Sequence, residues 1–223
     1  MASVQFDQPL HENENQIQEW VRQDEWLRMS FEQVNLLWDE PRFSVVPEEY
    51  AMESATESLA KHLFETKIKE QLRFSDCGSM KMLYPINEQV YYAFRSKFNQ
   101  ANFEHLAGRL LNWYMDPNID QDFTVVHHGD SIQLMYREDD KLQFCQSFLI
   151  NSDSEAAYFV LNTMEKLGIK RDQVTLRTLG VDEKGALFHM LDAYIRKVKG
   201  IQIPLPEALK TAHSLHPFLI TKL

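Results

Sequence analysis

The segment FTVVHHGDSIQLMYREDDKLQFCQSFLI, residues 123–150, decides the predicted fold of this chain. It contains three runs of apolar, β-branched and aromatic residues, separated by the short sequences HGD at 128–130 and EDD at 138–140. Glycine and aspartate tolerate the left-handed backbone of tight hairpins, so both sequences favour antiparallel pairing of the flanking runs. The segment therefore predicts a meander of three strands, at residues 123–127, 131–137 and 141–150.

After this meander the spacing of apolar residues changes from that of strands to that of helices. Residues 153–167 carry apolar side chains at helical intervals, and Gly168 suits the position that follows a helix end. Residues 174–179 predict a strand, and Asp182 is a typical N-cap for a helix over residues 185–198. A three-stranded meander followed by helix, strand and helix is the element order of a ribonuclease-H-like unit.

The first half of the chain shows a similar order of elements, offset by about 95 residues. It predicts a hairpin of residues 31–38 and 42–46, a helix over 52–65, a strand at 81–84 and a helix from Asn87, its N-cap, to Phe98. Two such units in tandem describe the actin-like architecture that actin, sugar kinases and chaperone ATPases share. A single α+β domain is the alternative that these patterns leave open.

An acidic linker at residues 116–122 is the predicted boundary between the two halves. A predicted helix over residues 106–115 ends at Asp116 and Pro117, where the helical spacing stops. The sequence therefore predicts an α/β protein with mixed sheets. Its first ribonuclease-H-like lobe covers residues 1–116, and its second covers residues 117–223.

Four stretches of the chain carry a resemblance to known proteins: RFSVVP (42–47), YREDDKLQFCQSF (136–148), AYFVLNTMEKLGI (157–169) and LDAYIR (191–196). Together they resemble a domain-of-unknown-function family of uncharacterised bacterial proteins with an actin-like ATPase fold. The resemblance covers roughly residues 30–200, and its segments are structural rather than catalytic. Members of that family begin with a further strand pair, and we interpret residues 3–6 as its remnant. The resemblance thus implies a reduced or truncated first lobe.

The composition disfavours several classes of partner. The chain has 23 Lys and Arg against 33 Asp and Glu, a formal net charge of −10, which disfavours nucleic acids and anionic membranes as partners. Its two cysteines show no CxxC spacing, its amino-terminal residues show no signal pattern, and no apolar run reaches the ~18 residues of a membrane span. We therefore expect a soluble cytoplasmic protein that binds neither nucleic acid nor membrane.

Glycine is scarce in this chain, which has seven where an average share of about 7% gives roughly sixteen. The resemblance implies that phosphates are held by turns rich in Gly, Ser, Thr and Asp, whose backbone amides face the nucleotide. A degenerate nucleotide cleft would use six residues, named here the candidate cleft residues: His127, His128, Gly129, Asp130, Ser131 and Gly180. An ordinary hairpin turn and a degenerate phosphate loop both fit residues 127–131.

Several kinds of catalytic and metal site are disfavoured by the sequence. The strand at residues 123–127 lacks the acidic residue that two-metal nucleic-acid cleavage requires, and no GxSxG sequence occurs. His127 and His128 are neighbours on a strand and point to opposite faces, which disfavours a shared metal. Cys77 is expected in an exposed loop, where Asp76 raises its pKa. The sequence therefore predicts no catalytic residue and no metal site.

Tryptophans are concentrated near the amino terminus, with Trp20, Trp26 and Trp38 as candidate interface residues. Core packing and a surface for a partner or a second copy are the two interpretations of these side chains. We predict a pseudo-ATPase: a non-catalytic actin-like binding or scaffold module that needs no cofactor and that binds an unidentified protein or forms a homodimer. The alternative is an ATP-dependent kinase or ATPase with degenerate phosphate loops, which would use ATP and Mg²⁺.

Overall fold

The computed structural model describes residues 14–25, 27–30, 34–51, 63–64, 70–117 and 123–201. The chain divides into two compact units, Ala2–Arg109 and Leu110–Leu223. The predicted strand remnant at residues 3–6 and most of the predicted helix at 52–65 lie outside the described residues.

The first unit contains a three-stranded antiparallel sheet and a separate pair of parallel strands. The sheet has the order β2-β4-β3, and β1 pairs with β5. The elements in chain order are α1 (Glu14–Gln23), β1 (Asn35–Trp38), β2 (Ser44–Pro47), a 3₁₀ turn (Glu48–Tyr50), β3 (Glu70–Cys77), β4 (Met80–Asn87), α2 (Glu88–Lys97), β5 (Asn102–His105) and α3 (Leu106–Tyr114), which continues past Arg109.

The predicted hairpin of residues 31–38 and 42–46 is wrong. β1 pairs in parallel with β5, and β2 pairs antiparallel with β4, so each strand finds a partner far along the chain. Arg42, in the connection between β1 and β2, bonds the carboxylates of Glu40 and Glu70. This double ion pair ties the connection to the start of β3 rather than closing a turn on itself.

The predicted correspondence between strands 81–84 and 174–179 is also wrong. β4 is antiparallel to both of its neighbours, whereas the parallel strand of the first unit is β5. The sequence of β5, NFEH, is short and half polar, so its spacing gives no strand signal. The predicted N-cap of α2 is confirmed, because Asn87 Oδ1 accepts hydrogen bonds from the backbone N–H groups of Gln89 and Val90.

The second unit is built on one five-stranded mixed sheet. Its order is β10-β9-β6-β7-β8, with β6, β7 and β8 antiparallel in sequence and with β9 and β10 added in parallel to β6. This is the predicted meander extended by parallel strands. Its elements are β6 (Phe123–His128), β7 (Ser131–Glu138), β8 (Lys141–Leu149), α4 (Asp153–Lys166), β9 (Leu176–Leu179), α5 (Ala186–Tyr194) and β10 (Val198–Gly200).

The helices of the second unit pack their apolar faces on this sheet. Ser152 Oγ accepts a hydrogen bond from the backbone N–H of Glu155 and caps α4, and Gly168 follows the helix at a φ of 70°. Residues of both helices and of β6, β7 and β9 form one buried cluster. It includes Phe123, Val125, Ile132, Leu134, Ala156, Val160, Met164, Leu176, Leu187 and Leu191.

The predicted helix over residues 185–198 is too long, and its predicted cap is wrong. α5 ends at Tyr194, and residues 198–200 form β10 instead. The N-cap is Gly185, because Asp182 closes a turn ahead of the helix. Asp182 Oδ1 accepts from the backbone N–H of Lys184, and its backbone oxygen accepts from that of Gly185.

A buried histidine joins β5 to α3 in the first unit. His105 is 1% exposed, and its ring centroid lies 4.6 Å from that of Tyr84 and 5.5 Å from that of Phe43. Its Nδ1 accepts a hydrogen bond of 3.1 Å from the backbone N–H of Ala107, so the neutral ring caps the helix. Burial lowers the pKa of His105 to about 4, although the carboxylate of Asp39 acts in the opposite direction.

We expect acid to destabilise the first unit through His105. The pKa is about 4 when folded and 6.5 as an ordinary histidine, so the contribution to stability is complete above pH 6.5 and is lost as the pH falls towards 4. The loss amounts to about 3 kcal/mol by pH 4. Urea unfolding between pH 7 and pH 4 measures it. His105→Asn keeps a helix-capping oxygen but does not titrate, so it should lose about 3 kcal/mol less over this interval. Equal losses in both proteins contradict the assignment.

Candidate functional site

The six candidate cleft residues come together where β6 and β9 of the five-stranded sheet end. β6 and β9 are parallel, with Val126 paired to Leu179, so the residues that follow each strand lie side by side. His128 pairs with Ser131 across the β6–β7 hairpin, leaving Gly129 and Asp130 as its two-residue turn. Gly180 follows β9 directly, next to the end of β6. Pairing within the sheet thus places all six residues in one neighbourhood.

The β6–β7 turn is held by hydrogen bonds within the second unit. Gly129 has a φ of 56°, which suits the first central position of a two-residue hairpin. Ser131 Oγ donates a hydrogen bond of 3.1 Å to the backbone oxygen of His128. The backbone oxygen of Asp130 accepts one of 2.8 Å from the N–H of Ile150, just before α4. The Ser131 hydroxyl proton and the Asp130 carbonyl therefore have partners in the protein.

Gly180 packs its backbone directly against β6. Its φ is 75°, and a Cβ atom at this position would lie 2.3 Å from the backbone oxygen of His127. Real Cβ atoms essentially never come within 3.0 Å of another heavy atom in this way. Any residue larger than glycine would force the two strand ends apart. The close approach to His127 accounts for glycine at position 180.

His127 is half-buried at this end of β6. Burial lowers its pKa, the neighbouring His128 lowers it further, and the carboxylate of Asp153 acts in the opposite direction. Asp153 is the first residue of α4, so an acidic side chain lies within electrostatic reach of the candidate cleft residues. Residues 127–131 contain no lysine or arginine.

Metal-binding geometry is absent from the described ranges. No group of three or more His, Cys, Asp or Glu side chains within them is arranged to hold a metal ion. The acidic tip of the β7–β8 hairpin has a different geometry, with Asp139 and Asp140 at φ values of 50° and 58°. Positive φ at both central residues is the pattern of a type I′ turn, so these aspartates serve the hairpin.

The expectation that Cys77 lies in an exposed loop is wrong. It is the last residue of β3 and is 3% exposed, because α3 packs over it. A Cβ atom on Gly108 would lie 3.1 Å from Cys77 Sγ. Burial raises the pKa of the thiol to about 11, and Asp76 adds to the increase. The expected direction of the pKa change is therefore correct, with burial as its main cause.

Of the three candidate tryptophans, the structure describes the side chain of Trp38 alone. Trp38 is partly buried against the cluster of Val21, Val90 and Ala93, and its Nε1 donates a hydrogen bond of 3.1 Å to the backbone oxygen of Pro85. Trp20 lies in α1, with its side chain outside the described part, and Trp26 lies outside the described residues altogether. Trp38 packs within the first unit, and the interface role of the three residues stays a prediction.

Two arginines that the sequence did not single out line a pocket of the first unit. Arg73 on β3 and Arg95 on α2 face a cavity of about 240 Å³. They lie 22 positions apart, and only the packing of α2 on the hairpin of β3 and β4 brings them together. Neither position stands out by spacing, because an arginine on a strand or in the last turn of a helix is ordinary. Sequence patterns gave no signal for this pocket.

A family model now gives the chain its place among known proteins. The model described as a protein of unknown function, DUF3822, matches residues 1–198. The chain belongs to the DUF3822 family. No curated protein matches this chain. The family resemblance predicted from the sequence is confirmed, and it carries no established activity with it.

Solved structures show the fold of this DUF3822 member. It is similar to a crystal structure from Bacteroides thetaiotaomicron VPI-5482, described as a protein with actin-like ATPase fold and unknown function. The two share 18% identity with a TM-score of 0.79, over 89% of this chain and 79% of that one. A structure described as the PilM–PilN type IV pilus biogenesis complex matches at 12% identity and a TM-score of 0.50, over 86% and 74% of the respective chains. The predicted actin-like ATPase fold is confirmed.

The helices of the described ranges include none that is both long and apolar enough to cross a membrane.

We expect Gly180→Ala to destabilise this DUF3822 member by about 3 kcal/mol, since it combines a positive φ with a clash against the His127 backbone. Gly168→Ala is the matched control, because Gly168 has a similar φ of 70° with nothing within 4 Å of its Cβ position. That variant should lose only about 1 kcal/mol. Urea denaturation followed by circular dichroism compares the two. Equal losses would show that close packing on β6 does not determine residue 180.

Proposed function

We propose that this DUF3822 member is a non-catalytic binding or scaffold module that keeps the actin-like ATPase fold without its phosphate chemistry. The observation that carries the proposal is the contact between the candidate cleft residues themselves. Gly180, one of the candidate cleft residues, is packed against the backbone oxygen of His127. Its lack of a side chain serves the sheet rather than a ligand.

The other candidate cleft residues fit a nucleotide phosphate poorly. Phosphate turns rely on consecutive backbone amides, unobstructed by Cβ atoms, and on nearby cations. Residues 127–131 contain one glycine, and Ser131 donates its hydroxyl proton to the turn. Asp130 in the turn and Asp153 at the start of α4 would repel a triphosphate. These residues therefore do not fit a nucleoside triphosphate.

An assembly role is supported by the exposed edge of the sheet in the second unit. Among the described strands, β8 is an outer strand of the sheet, is nine residues long and pairs with β7 on one side. Edge strands are usually protected from pairing by charges, prolines or bulges. β8, KLQFCQSFL, has one charged residue, Lys141, no proline, and one register shift against β7, between Tyr136 and Arg137. Such an edge is a template for a strand from another chain. We propose a second copy of this chain as its occupant.

The nucleotide test separates this proposal from an active kinase or ATPase. A ligand present at 100 times its Kd stabilises the folded state by about 2.7 kcal/mol. We expect millimolar ATP with Mg²⁺ to leave the melting temperature unchanged. A clear upward shift that Gly129→Val abolishes and Gly168→Val retains would overturn the proposal. Both variants place a β-branched side chain at a positive φ with open space around it, so only the position differs.

Self-association tests the edge of β8. The double variant Gln143→Lys and Gln146→Lys adds two charges at exposed positions of this strand, and charges oppose edge pairing. We expect its dimer dissociation constant, measured by analytical ultracentrifugation, to rise about tenfold or more. The control Gln173→Lys makes the same change at an exposed position before β9. A wild-type chain that stays monomeric at high concentration, or a double variant that still dimerises equally well, contradicts a β8 interface.

A further inference from the structure

A pocket of about 240 Å³ opens in the first unit between the β3–β4 hairpin, α2 and β5. Its walls combine two arginines, Arg73 and Arg95, with aromatic rings that include Tyr91 and Phe103. A cavity of this volume admits several water molecules. The pocket is therefore sized for a small molecule or a single chemical group, and it lies entirely within residues 73–103.

The guanidinium group of Arg73 lies over an aromatic ring in this pocket and retains N–H donors for a ligand. Its guanidinium carbon lies 3.9 Å from the centroid of the Tyr91 ring, and its Nη2 donates to Gln71 Oε1 at 3.3 Å. Its Nε is buried and has no hydrogen-bond partner among the described residues. Because Nε is buried, the N–H donors that Arg73 offers to the pocket are those of its terminal nitrogens.

Arg95 is fixed at the other side of the pocket. Its Nη1 donates a hydrogen bond of 2.7 Å to the backbone oxygen of Ala101, and its guanidinium carbon lies 5.8 Å from the centroid of the Phe103 ring. This hydrogen bond and this ring contact position the guanidinium group. Because a guanidinium has five N–H donors, others are left for a ligand.

Neither arginine forms an ion pair within the described part of the chain. This contrasts with Arg42, which bonds two carboxylates, and with Arg109, which lies 3.9 Å from Glu104. The chain as a whole has a net charge of −10, so carboxylates are abundant. Two guanidinium groups line one cavity, and the described residues that line it include no carboxylate, so the cavity is a site of concentrated positive charge.

We propose that this pocket binds a small oxyanion, a carboxylate or phosphate group carried on a compact or flat organic molecule. Guanidinium groups present parallel N–H donors that match both kinds of oxyanion. Tyr91 and Phe103 provide ring faces for the rest of the ligand. Asn102 lies at the exposed rim, where its side-chain amide donates a hydrogen bond of 2.6 Å to Glu104 Oε1. The site lies within the first unit and is independent of the proposed scaffold role.

The binding test uses inorganic phosphate and benzoate as probes, each titrated at constant ionic strength against the full chain. Heteronuclear NMR of the arginine Nε–H signals reports saturation and location together. We expect saturable binding of at least one probe, with shifts at Arg73 and Arg95. Saturation by phosphate alone assigns a phosphate ligand, and saturation by benzoate alone assigns a carboxylate. No saturable binding of either probe at tens of millimolar overturns the proposal.

Charge variants test whether the two arginines hold the anion. Arg73→Gln and Arg95→Gln should each raise the Kd of the bound probe about tenfold or more. Lys97→Gln is the matched control, because it removes one exposed positive charge from the same helix without lining the pocket. We expect that control to stay within about twofold of the wild-type Kd, since exposed charges are screened.

A second pair of variants avoids the contacts that Arg73 and Arg95 make with their own unit. Asn102→Glu places a carboxylate at the exposed rim, where it competes with the ligand for the guanidinium groups, and Asn102→Gln is the neutral control. We expect Asn102→Glu to weaken binding about tenfold and Asn102→Gln to leave it unchanged. Equal affinity in the wild type, Asn102→Glu and any folded arginine variant would place the anion elsewhere and overturn the proposal.

Discussion

The second unit depends on strand β6, which is paired along both of its edges. Residues 123–126 are buried, with an antiparallel neighbour in β7 and a parallel neighbour in β9. Because parallel strands end at the same edge of a sheet, the β6–β7 turn and the corner after β9 must meet. The space left for that corner is so small that Gly180 lies against the His127 oxygen. Sheet pairing alone therefore determines the geometry of the candidate cleft residues.

The sequence predicts the meander of the second unit well because its contacts are local. Each of its turns has residues that accept positive φ, and β6 pairs with β7, which pairs with β8. The first unit has one local hairpin, formed by β3 and β4, but its other strand pairings are distant. β1 pairs with β5, which lies more than sixty residues away, and β2 pairs with β4, although β3 lies between them in the chain. The spacing of apolar residues along a short stretch of sequence carries no information about such distant pairings. The sequence therefore predicts a hairpin at residues 31–46 that the structure does not contain.

The two candidate sites also differ in how much of each can be predicted from the sequence. The candidate cleft residues could be found in the sequence because they follow predicted strand ends, although the reason for glycine at position 180 required the distance to His127. The arginine pocket could not be found, because Arg73 and Arg95 meet only when α2 packs on the β3–β4 hairpin. Of that arrangement the sequence predicts α2 with its N-cap Asn87 and part of β4, but not β3. A cap sets where a helix begins, but not which side chains its neighbours place opposite it.

Proteins hold anions in two physically different ways, and the composition of this chain favours one of them. Backbone amides can surround a phosphate only where glycine removes the Cβ atoms, and this chain has seven glycines, one of them packed against β6. Guanidinium groups need no glycine, but they need rings or carbonyls to fix their orientation. Aromatic residues make up 12% of the chain, and Tyr91 and Phe103 lie beside the two pocket arginines. The proposed loss of phosphate turns in one unit and the proposed oxyanion pocket in the other are therefore compatible, since they depend on different residues and on different chemistry.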